Sequence, residues 1–185
     1  MADKSRKWKI LESKYLIRRP WLTARIDKVE LPDGRINDEY YVLEYPDWVN
    51  VIARTRDGKF VMVEQYRHGL GDTFTELVAG VIEKGESPED AAKRELAEES
   101  GYTGGVWKEW MTISANPAST TNLTHCYFAD GVELTETQHL DDTEDVTVKI
   151  LTESELYNLL ESGKLKQALM AAPLWKYFAC KHMKK

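Results

Sequence analysis

The most restrictive feature of this sequence is a helix whose two ends are both marked by capping residues. Ser87 is a typical N-cap residue, and Pro88 suits the first helical position. Gly101 suits the position just past the C-terminus, because glycine readily adopts the left-handed conformation that often ends a helix. These signals predict a helix over residues 88–100.

Acidic residues share one face of this helix. Glu95, Glu98 and Glu99 stand at positions i, i+3 and i+4 and therefore lie side by side. Like charges repel one another unless cations lie between them, and carboxylate oxygens are the ligands that Mg²⁺ prefers. The arrangement predicts a Mg²⁺ site, with Mn²⁺ as the alternative ion. A solvent-exposed acidic face is the competing interpretation of the three glutamates alone.

The residues around the glutamates complete a longer pattern. Gly80, Glu86 and Arg94 give the spacing G-x5-E-x7-R-E-U-x-E-E-x-G-U, where U is a bulky aliphatic residue, and only Tyr102 at the last position departs from it. Chance would produce the fixed positions about once in 10⁸ starting points at average residue usage. The segment resembles the Nudix box, which implies an enzyme that hydrolyses the pyrophosphate bond of a nucleoside diphosphate compound.

The resemblance to Nudix hydrolases implies a role for each residue of the pattern. Arg94 is expected to pair with Glu86, to hold the preceding loop against the helix and so to serve catalysis. Gly80, Glu86 and Gly101 are expected to shape the box. The expected metal ligands, whose carboxylates also serve catalysis, are Glu95, Glu98 and Glu99, together with the backbone carbonyl of Ala79.

Segments outside the box indicate a subfamily. The run V-E-Q-Y-R at 63–67 and the run T-E-L-V-A-G at 75–80 resemble the Q-Y-R and E-L-P-A-G segments of ADP-ribose pyrophosphatases, with Val78 in place of the proline. The resemblance implies a nucleotide sugar as substrate. The residues expected to bind it are Arg67, Glu76 and Pro117.

An acidic segment follows at 141–146, D-D-T-E-D-V. It resembles the loop that supplies a late catalytic carboxylate in the same subfamily, and Glu144 aligns best with that position. Glu144 is expected to serve as the catalytic base or as an additional metal ligand, with Asp142, Asp145 or a box glutamate as alternatives for the base. An ordinary acidic turn remains the structural alternative.

The order of helices and strands predicts an α/β (α+β) fold. Short β-prone pieces at 15–17, 22–31 and 40–45 surround the turn signal at 32–34, which indicates an antiparallel strand appendage. The resemblance implies the Nudix fold, a mixed β-sheet sandwiched between helices, over 47–185. It also implies that the appendage, 1–46, joins two copies of the chain into a homodimer.

The C-terminal part of the chain is predicted to be helical. Thr152 and Glu155 have the spacing of a capping box, and the helix that they open is expected to end near Gly163. A second helical stretch follows and is expected to be interrupted near Pro173.

Composition limits the partners of the chain. A net charge of −6 argues against general nucleic-acid binding, which needs clustered Lys and Arg. No apolar run approaches the ~20 residues of a membrane span, and the N-terminus has no apolar signal core, so a cytoplasmic protein without membrane contact is expected. Tyr15, Trp21 and Trp48 are candidates for stacking on a nucleobase, with core or interface packing as the alternative.

Three other functions fit a Nudix-like chain. A pyrophosphatase that removes nucleoside triphosphates or oxidised nucleotides from the nucleotide pool is disfavoured by the strand appendage and by the Q-Y-R run. A ligand sensor without catalysis is disfavoured because all box glutamates are present. An isopentenyl diphosphate isomerase would need a reactive cysteine in a recognisable context, which Cys126 does not have.

Overall fold

The computed structural model describes residues 6–183, and these form two compact units. The first unit contains the described residues up to Pro46 together with Asn116–Asn122. The second contains Asp47–Ala115 and the described residues from Leu123 onward.

The first unit is built on a three-stranded antiparallel sheet in the order β1-β2-β3. The turn predicted at 32–34 joins β2 to β3, where Gly34 has a φ of +85° and donates its N–H to the carbonyl of Leu31. The predicted N-terminal antiparallel sheet is therefore confirmed. Its strands are β1 (Lys9–Arg19), β2 (Leu22–Glu30) and β3 (Ile36–Glu44).

The second unit has a seven-stranded mixed sheet. Its main order is β10-β5-β4-β9-β8, with β6 paired to β5 and β7 paired to β4. β4 and β9 run parallel, and the other pairs are antiparallel. The elements are β4 (Trp48–Thr55), β5 (Phe60–Arg67), β6 (Asp72–Glu76), β7 (Val78–Val81), α1 (Pro88–Ser100), β8 (Tyr102–Ile113), β9 (Thr124–Leu134), β10 (Val146–Leu151), α2 (Glu153–Glu161) and α3 (Ala168–His182).

Helices cover both faces of this sheet. Successive side chains of a strand point to opposite faces, and β4 shows this directly. Val49 and Val51 belong to the core cluster that contains the apolar face of α1, whereas Ile52 belongs to a second cluster with residues of α2 and α3. The predicted sandwich of a mixed sheet between helices is therefore confirmed.

The helix ends follow the capping signals. Ser87 accepts the backbone N–H of Asp90 at the start of α1, and Gly101 ends it in the left-handed region with a φ of +73°. The capping box of Thr152 and Glu155 opens α2. Both predicted helix starts are confirmed.

The expected interruption near Pro173 is wrong, because α3 continues through it. Proline lacks the N–H that would bond to the carbonyl four residues earlier, so the carbonyl of Leu169 loses its helical donor. The side-chain amide of Asn50 on β4 donates to that carbonyl at 2.8 Å. A donor from the neighbouring sheet thus satisfies the group that proline leaves free, and the helix does not need to end.

Candidate active site

The acidic face of α1 lies over β7, and a glycine allows this approach. A Cβ atom at Gly80 would collide with the carboxyl group of Glu95. Gly80 therefore leaves room for the Glu95 carboxylate, and its own φ is not in the left-handed region. It brings the Glu95 carboxylate directly onto the β7 backbone.

Glu99 is the most deeply placed of the three glutamates. Only 4% of its surface is exposed, and its carboxylate accepts the backbone N–H of Ala79 at 3.2 Å. Burial, together with the charges of Glu95 and Glu144, raises the pKa of Glu99 to about 8, because the Ala79 N–H and Arg67 oppose the rise only in part. The groups around Glu99 stabilise its ionised carboxylate only in part, and a bound cation would supply the missing positive charge.

Arg94 joins the box loop to the acidic cluster. It forms a bidentate ion pair with Glu86, with N–O distances of 2.9 and 3.0 Å, and it donates to the Val81 carbonyl. This contact holds the pKa of Glu86 below its usual range. Another guanidinium nitrogen lies 2.9 Å from both Glu95 and Glu98. The expected Arg94–Glu86 pair is present, and the part that Arg94 takes in catalysis stays a prediction.

Glu95 and Glu98 differ in their surroundings. Burial raises the pKa of Glu95, and Arg94 opposes that rise. The side chain of Glu98 is 44% exposed and faces solvent. The cluster thus extends from a buried carboxylate to one that incoming ligands can reach.

Glu144 lies beside this cluster, since its charge raises the pKa of both Glu95 and Glu99. Its own carboxylate accepts the N–H of Asp141 at 3.1 Å. Asp142 and Asp145 are exposed residues of the same segment. Which residue acts as base stays a prediction.

A residue that the sequence did not indicate holds the acidic loop. The side-chain amide of Gln138 donates to the carbonyl of Glu99 at 2.7 Å and to the carbonyl of Val146 at 2.9 Å. The N–H of His139 donates to the carbonyl of Glu98 at 2.8 Å. The last carbonyls of a helix have no helical donors, so the loop caps the end of α1 and is fixed to it.

The residues expected to bind substrate lie in different units. Arg67 and Glu76 form an ion pair at 2.5 Å, and Glu76 is 3% exposed, so its carboxylate is already engaged. Arg67 keeps 40% of its side chain exposed and acts electrostatically on Glu99. Pro117 is an exposed residue of the first unit. The substrate-binding roles of these residues stay predictions.

The donor set has the chemistry of a hard-cation site. It offers glutamate oxygens from one helix face and the peptide group of Ala79, which Glu99 already contacts. Within residues 6–183, no three His, Cys, Asp or Glu side chains are grouped tightly enough to hold an ion as they stand. Arg94 draws two of the carboxylates toward itself, so cation binding would require the glutamate side chains to turn away from the guanidinium.

Comparison with known proteins identifies the family. Residues 44–172 match the NUDIX domain, and residues 8–43 match the nucleoside diphosphate sugar hydrolase N-terminal domain. The chain belongs to the Nudix family. The Nudix hydrolase predicted from the box is confirmed, and hydrolases of this kind generally use a divalent metal.

Relatives of this Nudix chain carry two kinds of name. It is 35% identical to the ADP-ribose pyrophosphatase of Bacillus subtilis (strain 168) over 147 residues, 79% of each chain. It is also 35% identical to the methanol dehydrogenase activator of Bacillus methanolicus over 142 residues, 76% of each chain. A crystal structure of an ADP compounds hydrolase superposes with a TM-score of 0.84 at 20% identity, covering 96% of both chains, and shows the shared fold.

Among the residues that the structure describes, no helix combines the length and the apolar character needed to cross a membrane.

Proposed function

We propose that this Nudix hydrolase cleaves the pyrophosphate bond of a nucleoside diphosphate sugar in the presence of Mg²⁺, with ADP-ribose as the leading substrate and AMP and ribose 5-phosphate as products. The observation that carries the proposal is that the carboxylates of Glu95 and Glu144, and the guanidinium of Arg67, act electrostatically on the buried carboxylate of Glu99. The names of the pyrophosphatase relatives and of the N-terminal family support the substrate class.

The box glutamates would hold the metal. Glu95, Glu98 and Glu99, with the carbonyl of Ala79, are the proposed ligands, and Mn²⁺ is the alternative ion. When bound, the metal would neutralise charge on the pyrophosphate and lower the pKa of an attacking water. If Glu95 and Glu98 turned away from Arg94, their carboxylates would be free to bind the metal.

Other side chains would act on the substrate directly. Glu144, whose charge acts on Glu95 and Glu99, is the proposed base that accepts a proton from the attacking water. Arg67 is the proposed phosphate contact, because its exposed part is free to make charge-assisted hydrogen bonds. Glu76 would orient Arg67 through their ion pair, and Pro117 would contact the substrate.

The strand appendage is proposed to form a homodimer. β1 exposes several large apolar side chains, and Trp21, at the turn after it, is 85% exposed. Exposed apolar patches of this kind commonly mark interfaces. Sedimentation equilibrium of the wild-type protein and of Ile17→Lys tests the dimer: a wild-type monomer would refute it.

We also propose a cytoplasmic location, which localisation of a tagged copy would check.

One assay tests the reaction. The purified protein is incubated with Mg²⁺ and ADP-ribose, GDP-mannose, UDP-glucose, NADH, diadenosine compounds and nucleoside triphosphates, and the products are separated by chromatography. Fastest cleavage of ADP-ribose to AMP and ribose 5-phosphate supports the proposal. Preference for triphosphates would favour the nucleotide-pool alternative, and metal binding without cleavage would favour the sensor.

A further inference from the structure

A cavity of about 330 Å³ lies at the hairpin that joins β5 to β6. The hairpin forms one side of the cavity, and residues 166–167, just before α3, form the other. Among the described residues that line it, none belongs to the Nudix box at 80–102. The cavity is therefore a site apart from the glutamates.

The polar groups of this cavity carry an excess of positive charge. Glu76 is the one carboxylate among the described residues of its wall, and both Nε and Nη2 of Arg67 bond to its Oε2. Nη1 of Arg67 is left for a ligand, and 40% of the Arg67 side chain is exposed. Lys166 is exposed and forms no ion pair with any residue of 6–183. In a chain with a net charge of −6, this local excess favours an anionic ligand.

Gln167 adds a polar atom that lacks a partner. Its Oε1 is shielded from solvent and accepts no hydrogen bond from the described residues, and its side chain does not cap α3. Buried polar atoms are normally hydrogen-bonded, so an unpaired one indicates a missing partner. A phosphate group can supply that partner in two ways. A P–OH group can donate to Oε1, or, after a half-turn of the amide, the NH₂ group can donate to a phosphate oxygen.

The cavity is larger than a phosphate group needs. At roughly 30 Å³ for each water, its volume is that of about eleven waters. Leu70, which is 70% exposed, and the partly buried Phe74 provide apolar surface in its wall. A small organic group attached to the phosphate would therefore fit, with its carbon atoms against these two side chains.

We propose that this cavity binds the phosphate group of a phosphate monoester or of free phosphate, and that its occupation inhibits the enzyme. The phosphate oxygens accept from Lys166, from Nη1 of Arg67 and from the ring of His68. Because Arg67 is also the proposed contact for the substrate, an occupied cavity withdraws it from the substrate. The inhibition rests on the proposed function, whereas the binding does not. Both products of the proposed reaction are phosphate monoesters, so the site would provide product inhibition away from the glutamates.

Calorimetric titration of the metal-free protein tests the binding. Without a divalent cation the box glutamates repel anions, so the titration reports the cavity. Inorganic phosphate and ribose 5-phosphate are titrated separately into the wild-type protein, into Lys166→Met and into Lys164→Met. Lys164 is exposed, lies two positions away and is outside the cavity wall, so Lys164→Met makes the same change of charge as a matched control.

We expect Lys166→Met to weaken the binding of both ligands about tenfold, the effect of one charge-assisted hydrogen bond, and Lys164→Met to change it by less than about twofold. Gln167→Met should weaken it about fivefold. Equal affinities for the two ligands support free phosphate as the occupant, and tighter binding of ribose 5-phosphate supports an organic monoester. The proposal is overturned if the wild-type protein binds neither ligand at millimolar concentration, or if the two lysine variants weaken binding equally.

The inhibition is measured with Mg²⁺ and the substrate that is cleaved fastest. Phosphate should raise the apparent KM and leave kcat unchanged, and the inhibition constant should be about tenfold higher in Lys166→Met than in the wild-type protein and in Lys164→Met. An inhibition constant that is the same in all three proteins would show that phosphate acts at the glutamates, and would overturn the inhibitory role. A protein that binds phosphate as expected but cleaves no substrate would refute the proposed function and leave the phosphate site standing.

Discussion

Replacing Glu99 with Gln should make the metal-free protein more stable while destroying its activity. The glutamine keeps the shape of the side chain and can still accept the N–H of Ala79, but it cannot ionise. The pKa of Glu99 is about 8 in the folded chain, against 4.5 for an unperturbed glutamate. Between these values the folded state binds more protons than the unfolded state, so the free energy of unfolding falls as pH rises from about 4.5 to about 8.

At pH 7 the protein is about 2.5 pH units above the unfolded pKa, and each unit is worth about 1.4 kcal/mol, so keeping Glu99 protonated in the folded chain costs about 3.5 kcal/mol. For a chain of this size that corresponds to a rise in Tm of roughly 7–14 °C on substitution. The gain should vanish near pH 4, where both side chains are neutral. Mg²⁺ should raise the Tm of the wild-type protein at pH 7 far more than that of the variant.

Scanning calorimetry at pH 4, 5.5 and 7, with chelator and then with Mg²⁺, measures these differences. Glu98→Gln is the matched control, because it removes a carboxylate from the same helix face at a position that is 44% exposed. We expect the control to lose turnover by orders of magnitude, as Glu99→Gln does, without the gain in metal-free stability. A metal-free Glu99→Gln protein no more stable than wild type at pH 7 would refute the electrostatic reasoning, and full activity in both variants would refute the metal assignment.

Two further substitutions test the geometry of the site. Gly80→Ala should leave the Tm within a few degrees of wild type, because the added Cβ meets the movable end of the Glu95 side chain rather than backbone. The substitution should nevertheless displace the Glu95 carboxylate and weaken Mg²⁺ binding, which calorimetry measures. An unchanged Mg²⁺ affinity would contradict the role of Gly80. Gln138→Met should lower kcat about tenfold through the loss of two hydrogen bonds, without changing Mg²⁺ affinity. If Gln138 acts by holding Glu144, then Gln138→Met should have no further effect on kcat in a Glu144→Gln background, and additive losses would show that it acts elsewhere.

The sequence predicted those parts of the site that depend on local spacing. Helix α1 begins and ends where Ser87 and Gly101 indicate, because capping is a property of neighbouring residues. The Arg94–Glu86 pair spans a short loop and a helix turn, and the family pattern was sufficient to predict it. The spacing of residues in the sequence was therefore enough to predict these contacts.

Contacts between residues far apart in the sequence could not be predicted in this way. Gln138 meets the carbonyl of Glu99 across 39 positions, and Asn50 meets the carbonyl of Leu169 across 119. In both cases an ordinary amide side chain bonds to a backbone group, which any residue could supply. The contact between Asn50 and Leu169 also explains why the predicted helix interruption at Pro173 was wrong. A rule based on neighbouring residues takes no account of a hydrogen-bond donor from a strand elsewhere in the chain.

The site can hold mutually repelling carboxylates because the opposite face of the same helix is firmly anchored. Ala91, Ala92 and Leu96 are fully buried in the core cluster shared with β4 and β9. Burying a leucine alone is worth about 1.5–3 kcal/mol, which is of the same order as the cost of the raised pKa of Glu99 at neutral pH. Metal binding would then remove a destabilising interaction that the fold already tolerates, without having to create the helix. A helix held in this way can present its acidic face in the metal-free protein, which is why we expect metal loss to abolish activity without unfolding the chain.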